Sequence, residues 1–289
     1  MVRSGSPVGS GRRVLEEVRA AALSCPEVHH SPARAARRDW LLIIQADCTE
    51  IGDMPRGPDK YDSMTALYDD PNNVEGMAYG KRWLRHEWRQ LVEEQVTDNT
   101  ETQKIIMALH GGGIETGTSE IALATAGYHP TTLATAVDGL GLLDLWLFEG
   151  LLPSSNGDLH VTASHYDEPI ATKLVENAQR CISLHGCTDT QANGRIQLGG
   201  LDDELRDIVL EELDAAGIPA EVTSNPMLDG SLPDNIANKT RIGGCAQLEM
   251  GTSYRRSLFG INTRRQRKNT TNAQFWLLVD ALRKSMSRV

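Results

Sequence analysis

The residues most capable of chemistry are His110 and Glu115, separated by Gly111-Gly112-Gly113-Ile114 and preceded by the apolar run Lys104-Ile-Ile-Met-Ala-Leu109. In an open α/β sheet, function collects where strands end at their C-terminal edge. Three consecutive glycines allow the chain to close tightly around a small object, because glycine reaches backbone angles barred to other residues. Such a turn can bring an imidazole and a carboxylate onto one metal ion. Zinc accepts nitrogen and carboxylate oxygen ligands, and a His₂Glu set leaves a position open for water. A phosphate-cradling loop, an esterase oxyanion loop and a plain tight turn are the competing readings of the same residues. A phosphate loop calls for Lys-Ser/Thr after the glycines, where this chain has Ile114-Glu115. An HGGG oxyanion loop works with a G-x-S-x-G nucleophile, which the chain lacks.

A third ligand is then needed. His185 closes the short apolar run Cys181-Ile-Ser-Leu184 and is followed by Gly186, which repeats the strand-His-Gly arrangement of His110. Cys181 and Cys187 offer thiolates as an alternative. Gln247-Leu248-Glu249 closes another apolar stretch, and Glu249 is the candidate general base that takes the proton of the attacking water.

The elements that must carry these groups alternate along the chain. Strands are predicted at 104–109, 142–148, 159–162, 181–184, 195–198, 220–223 and 245–250. Helices are predicted at 118–126, 168–179, 201–216 and 275–286. Pro169 suits a first helical turn, and Gly217 stops the third helix after apolar residues at Leu205, Ile208, Val209 and Leu213. This alternation predicts an α/β fold: a mixed, mostly parallel central sheet with helices on both faces. Residues 1–60, rich in Gly, Ser and Arg at the start and in Pro and Gly from Gly52 to Lys60, read as a poorly ordered extension. Residues 61–289 form the expected functional domain, and the stretch from Tyr128 to Gly141 reads as an insertion.

Several short blocks in sequence order then resemble one family. They are Tyr61-Asp62, His110 to Glu120, Phe148-Glu149-Gly150, Leu159-His160-Val161-Thr162 and Tyr166-Asp167-Glu168-Pro169. The series continues through Ser183-Leu184-His185-Gly186, Leu198-Gly199-Gly200, Asn235-Ile236-Ala237-Asn238 and Gln247-Leu248-Glu249, ending near Arg255. Together they resemble the poly-γ-glutamate hydrolases, also met as phage replication-associated proteins. That family is similar in fold to the zinc carboxypeptidases and to succinylglutamate desuccinylase and aspartoacylase. The resemblance implies Zn²⁺ on His110, Glu115 and His185, Glu249 as catalytic base, and hydrolysis of γ-glutamyl amide bonds. A substrate carrying a carboxylate on every residue calls for cationic or amide donors, and Asn235, Asn238, Lys239 and Arg255 are the candidates. A small-molecule N-acyl amino acid deacylase is the alternative enzyme.

Composition frames these expectations. The net charge is −10, yet residues 250–289 carry nine Lys or Arg against Asp280 alone, a basic tail of +8 on a body of −18. Such a tail suits an acidic polymer, or nucleic acid in a third reading; otherwise it is a solvated face that balances the fold. Aromatic residues at 5% and the lack of a recognised motif argue against a nucleic-acid partner. Five cysteines without paired spacing read as reduced thiols of a cytoplasmic protein. Arg12-Arg13 is followed by Glu16, Glu17 and Arg19 where a twin-arginine signal needs an apolar run, and no stretch is apolar enough to cross a bilayer. A monomer is expected.

Overall fold

In the computed structural model, residues 58–86, 89–92, 95–98 and 103–289 are described. Most of the expected N-terminal extension, including an apolar run at 40–46, lies outside them. Helix α1 (Met64–Asp69) is followed by strand β1 (Tyr79–Leu84), a hairpin of β2 (Arg89–Val92) and β3 (Gln95–Asp98), then β4 (Lys104–Gly112) and α2 (Thr118–Thr125). Next come β5 (Asp144–Gly150), α3 (Pro169–Asn177), β6 (Arg180–Cys187), a one-turn α4 (Asp189–Ala192), β7 (Ile196–Gly199) and α5 (Asp203–Ala215). The chain continues with β8 (Ala220–Val222), β9 (Ala246–Gly251), α6 (Thr252–Ser257) and α7 (Ala273–Ser287).

Seven strands make one sheet in the order β1-β5-β4-β6-β9-β7-β8. The pairings β4–β5, β4–β6, β6–β9 and β7–β8 are parallel, whereas β1–β5 and β7–β9 are antiparallel. The fold is therefore the mixed, mostly parallel α/β sheet that the alternating pattern implies. Parallel strands covered on both faces show as continuous apolar runs, and β4 is buried along nearly its whole length.

Two cores lie on the two faces. On one, α2, α5 and α7 pack Ile121, Leu205, Val209, Leu213, Phe275 and Leu282 against Ile106, Ile182 and Leu248. On the other, α1 and α3 pack Met64, Leu67, Leu174 and Val175 against Ile105, Met107, Trp146 and Phe148. Complete burial of side chains of this size contributes roughly 1.5–3 kcal/mol each, so both faces are strongly committed. Helix α5 begins where Asp202 accepts the amide of Leu205, and α7 where Asn272 accepts those of Gln274 and Phe275.

The expected strand at 159–162 is not one. Residues 156–159 form a 3₁₀ turn, and the following backbone turns its polar groups to side chains instead of a ladder: Val161 O accepts from His110, and the Thr162 amide donates to Asp59. Nor does the basic segment hang from the fold. Arg255, Arg267 and Arg283 are buried, Arg283 on Asp138 and the carbonyls of Thr125 and Gly141, while Arg288 pairs with Glu211 and Glu212. These pairs fit the reading in which the cations balance the rest of the fold. Among the described residues, Cys181, Cys187 and Cys245 are buried. No helix there is long and apolar enough to cross a membrane.

Candidate metal centre

β4 delivers His110 to its C-terminal end, and the glycine turn then doubles back. Gly112 has φ +67°, in the left-handed region, and a Cβ on it would lie 2.5 Å from Gly150 O of the neighbouring strand. The turn thus needs glycine both for its backbone angle and for the approach of β5. The Glu115 amide donates to His110 O at 2.8 Å, which closes the loop and returns the carboxylate beside the imidazole. Behind the turn, Ser119 Oγ accepts the Gly112 amide at 2.9 Å, and buried Arg267 donates to Gly112 O at 2.9 Å.

β6 lies beside β4 and brings in His185. His110, Glu115 and His185 are all buried, and their candidate ligand atoms lie within 4.8 Å of one another. His110 Nδ1 lies 3.2 Å from Glu115 Oε1, and His185 Nδ1 lies 3.9 Å from Glu115 Oε2. The opposite ring nitrogens are engaged elsewhere. His110 Nε2 donates to Val161 O at 2.9 Å, and His185 Nε2 lies 2.9 Å from Ser183 Oγ. Outer partners of this kind fix an imidazole's tautomer and leave the inner nitrogen as a lone-pair donor. Glu115 Oε2 also accepts the Gly186 amide at 2.9 Å.

This arrangement fits a divalent cation. His110 Nδ1 is buried and makes no hydrogen bond, although an unsatisfied buried polar atom is costly. Two ligands about 2.0–2.1 Å from one ion at a near-tetrahedral angle stand roughly 3.3 Å apart, close to the observed His110–Glu115 separation. Two imidazole nitrogens and one carboxylate make a donor set suited to zinc.

Glu249 stands on β9 directly opposite His185 in the parallel register. Paired positions project to the same face of a sheet, so Glu249 flanks the cluster. Gln247 Nε2 donates to Glu249 Oε1 at 3.1 Å and orients the carboxylate.

The four substrate candidates sit as follows. Asn235 and Asn238 are buried and hold the 228–247 region together. Asn235 Nδ2 donates to Gln247 Oε1, Asn238 Nδ2 to Gly230 O and Leu232 O, and Asn238 Oδ1 accepts the Cys245 amide. Arg255 is fully buried, with Nε on Met250 O and Nη1 on Thr116 O. Lys239 is exposed.

Two further residues border the centre. The His160 ring lies over the His110 ring with centroids 3.9 Å apart, and its Nε2 is 3.9 Å from Glu115 Oε1. Its Nδ1 donates to Asp59 Oδ1 at 2.6 Å, and Asp59 Oδ2 accepts the Thr162 amide at 2.6 Å. Burial alone would raise the Asp59 pKa, but the hydrogen bonds and charge of His160 and the Thr162 contacts hold it well below the usual carboxylate range. The sequence offered little warning: His160 sat in an expected strand, and Asp59 in a linker-like stretch 101 residues away.

A family model described as poly-gamma-glutamate hydrolase matches residues 85–281, about two thirds of the chain. The chain belongs to the poly-γ-glutamate hydrolase family. It is 36% identical over 189 residues to the UPF0714 protein YndL of Bacillus subtilis (strain 168), covering 65% of this chain and 68% of that protein. It is 33% identical over 190 residues to the SPbeta prophage-derived UPF0714 protein YoqZ of the same strain, covering 65% of this chain and 64% of that one. Among solved structures, a bacteriophage poly-γ-glutamate hydrolase superposes with a TM-score of 0.65 at 29% identity, over 80% of this chain and 98% of that one. YndL in an apo, zinc-free form superposes at 0.63 with 31% identity, over 79% of this chain and 97% of that one. The family match extends into α7, well past the last of the short sequence blocks near Arg255.

Proposed function

We propose that this chain hydrolyses the γ-linked amide bonds of polyglutamate, with His110, Glu115 and His185 holding Zn²⁺ and Glu249 acting as general base. The observation that carries this reading is the buried convergence of two Nδ1 atoms on one carboxylate, each ring fixed from behind. Bound there, zinc supplies Lewis acidity, polarising the amide carbonyl and making water acidic enough to react near neutral pH. Glu249 accepts the proton of the attacking water at its carboxylate and passes it to the leaving amide nitrogen. Gln247 limits the rotation of that carboxylate by donating to Oε1. The Val161 carbonyl and the Ser183 hydroxyl hold the two imidazoles in the orientation the ion needs. Asn235, Asn238 and Arg255 serve in this reading as framework and not as substrate donors, because their polar atoms are engaged with the protein.

The test combines elemental analysis of the purified chain with a gel assay for shortening of poly-γ-glutamate. The expected result is one zinc per chain and a shortened polymer. His110→Ala and His185→Ala should abolish both. Glu249→Gln should retain zinc while kcat falls about 100-fold or more, the range a positioned base contributes; a fully active Glu249→Gln would remove Glu249 from its role. Zinc with intact polymer would redirect the reading to a small-molecule deacylase. Absence of metal under non-chelating conditions would sink the mechanism.

A further inference from the structure

We propose that Asp59 and His160 form a bracket that positions His110 for the metal, so that a residue preceding the family-matched region sets the metal affinity of this chain. The inference rests on the metal reading of His110, Glu115 and His185.

The geometry is that of an outer support. His160 covers the face of the His110 ring, and the next residue supplies the carbonyl that receives His110 Nε2–H. The ring is therefore restrained both across its face and at its outer nitrogen by two consecutive residues. Those residues belong to an irregular segment, with no strand ladder to hold them. Asp59 holds them instead, one carboxylate oxygen receiving His160 Nδ1–H and the other the Thr162 amide, both at 2.6 Å. A single side chain thus grips the segment on either side of Val161. Each side chain of the pair is largely buried, at 15% exposure, so solvent competes little for the bond between them. The ionised Asp59 carboxylate also adds negative charge one imidazole away from the ligand cluster, which favours a bound cation. Outer partners that orient metal-binding imidazoles typically change metal affinity 10–100-fold when removed.

Asp59 precedes the family match, which begins at residue 85. The bracket is assigned from this chain's own contacts and acts through the His160 imidazole and the Thr162 amide, which makes Asp59 and His160 positioning residues.

The test is zinc affinity, measured by competition with a chromophoric chelator, for the wild-type chain and for Asp59→Asn, Asp59→Glu, His160→Ala and the Asp59→Asn/His160→Ala double variant. Thermal melting of each metal-free protein accompanies it. Asp59→Asn and His160→Ala should each weaken zinc about 10–100-fold. Asp59→Glu should recover most of the loss, and the double variant should be no weaker than the weaker single variant, because one route is removed twice. Equal zinc affinity in wild type and Asp59→Asn would overturn the bracket while leaving the metal reading intact. Additive losses would also overturn it, since Asp59 and His160 would then act independently of each other. A lower melting point with unchanged zinc affinity would reduce the pair to ordinary structural contacts. A wild-type chain that takes up no zinc would overturn the bracket and the metal reading together.

Discussion

Replacing Arg255 by methionine separates two roles the residue could have. The side chain is fully buried, with Nε donating to Met250 O at 3.0 Å and Nη1 to Thr116 O at 2.7 Å. Methionine keeps the apolar stem and much of the volume, so little cavity forms. It supplies no donor, and the two acceptors are backbone carbonyls that remain in place. Each stranded carbonyl costs about 1–3 kcal/mol. Some of that is offset because a guanidinium no longer has to be desolvated. The expected net loss is about 2–4 kcal/mol, a large part of the roughly 5–15 kcal/mol that holds a domain folded. Urea unfolding followed by far-UV circular dichroism at 25 °C measures it, with the slope checked for an unchanged denatured state. The same variant should also bind zinc less well, because Thr116 follows Glu115 and the guanidinium lies against Gly186, the neighbour of His185. A Cβ on Gly186 would stand 2.5 Å from Arg255 Cζ. If the variant loses less than about 1 kcal/mol, a small fraction of that stability, while KM for the polymer rises severalfold, Arg255 faces substrate and the framework argument fails.

Three other perturbations test separate parts of the fold. Gly112→Ala places a Cβ 2.5 Å from Gly150 O at a left-handed φ; the conformational cost of about 1–2 kcal/mol and overpacking of about 1–3 kcal/mol should appear together as a lowered urea midpoint. Asp138 is held below the ordinary carboxylate range chiefly by the hydrogen bonds of Arg283, against the opposing effect of burial. Its contribution is therefore present above the unfolded pKa and lost as pH falls through the folded one, so Asp138→Asn should melt below wild type at pH 7, with the gap closing as pH falls below about 4, the ordinary carboxylate value. A gap that does not shrink would exclude the ion pair as its source. Finally, deleting residues 1–55 should leave a folded domain with wild-type zinc affinity, whereas deleting 1–60 removes Asp59 and should weaken zinc binding as Asp59→Asn does.

What the sequence revealed depended on whether a feature is local. β4 and β6 were legible because parallel strands covered on both sides show uninterrupted apolar runs. Helices α5 and α7 were legible because their apolar faces recur at helical spacing and their N-termini carry side-chain caps. β1 was not, since it lies at the sheet edge with Arg82 and Trp83 exposed and Gly80 interrupting its pattern. The clustering of His110, Glu115 and His185 could be anticipated because each histidine stands before glycine at the end of an apolar run and Glu115 follows the glycine turn after His110. Asp59 could not, because its value lies wholly in a contact made far along the chain.

The basic segment shows the same limit from the other direction. Counting charge left open whether residues 250–289 meet an acidic partner or balance the rest of the fold, and the three fully or nearly buried arginines there act inside the protein. Arg255 ties the turn after Glu115 to the end of β9, Arg267 holds the glycine turn through Gly112 O and Glu120, and Arg283 fastens the 138–141 loop to α7. Each guanidinium reaches at least one backbone carbonyl near the end of a strand, helix or turn, a role suited to a planar donor with several N–H groups. A metal site built from turns at the ends of separate strands needs such ties, because the sheet fixes the strands but not the loops beyond them. Arg255 and Arg267 are in this sense part of the candidate metal centre's support.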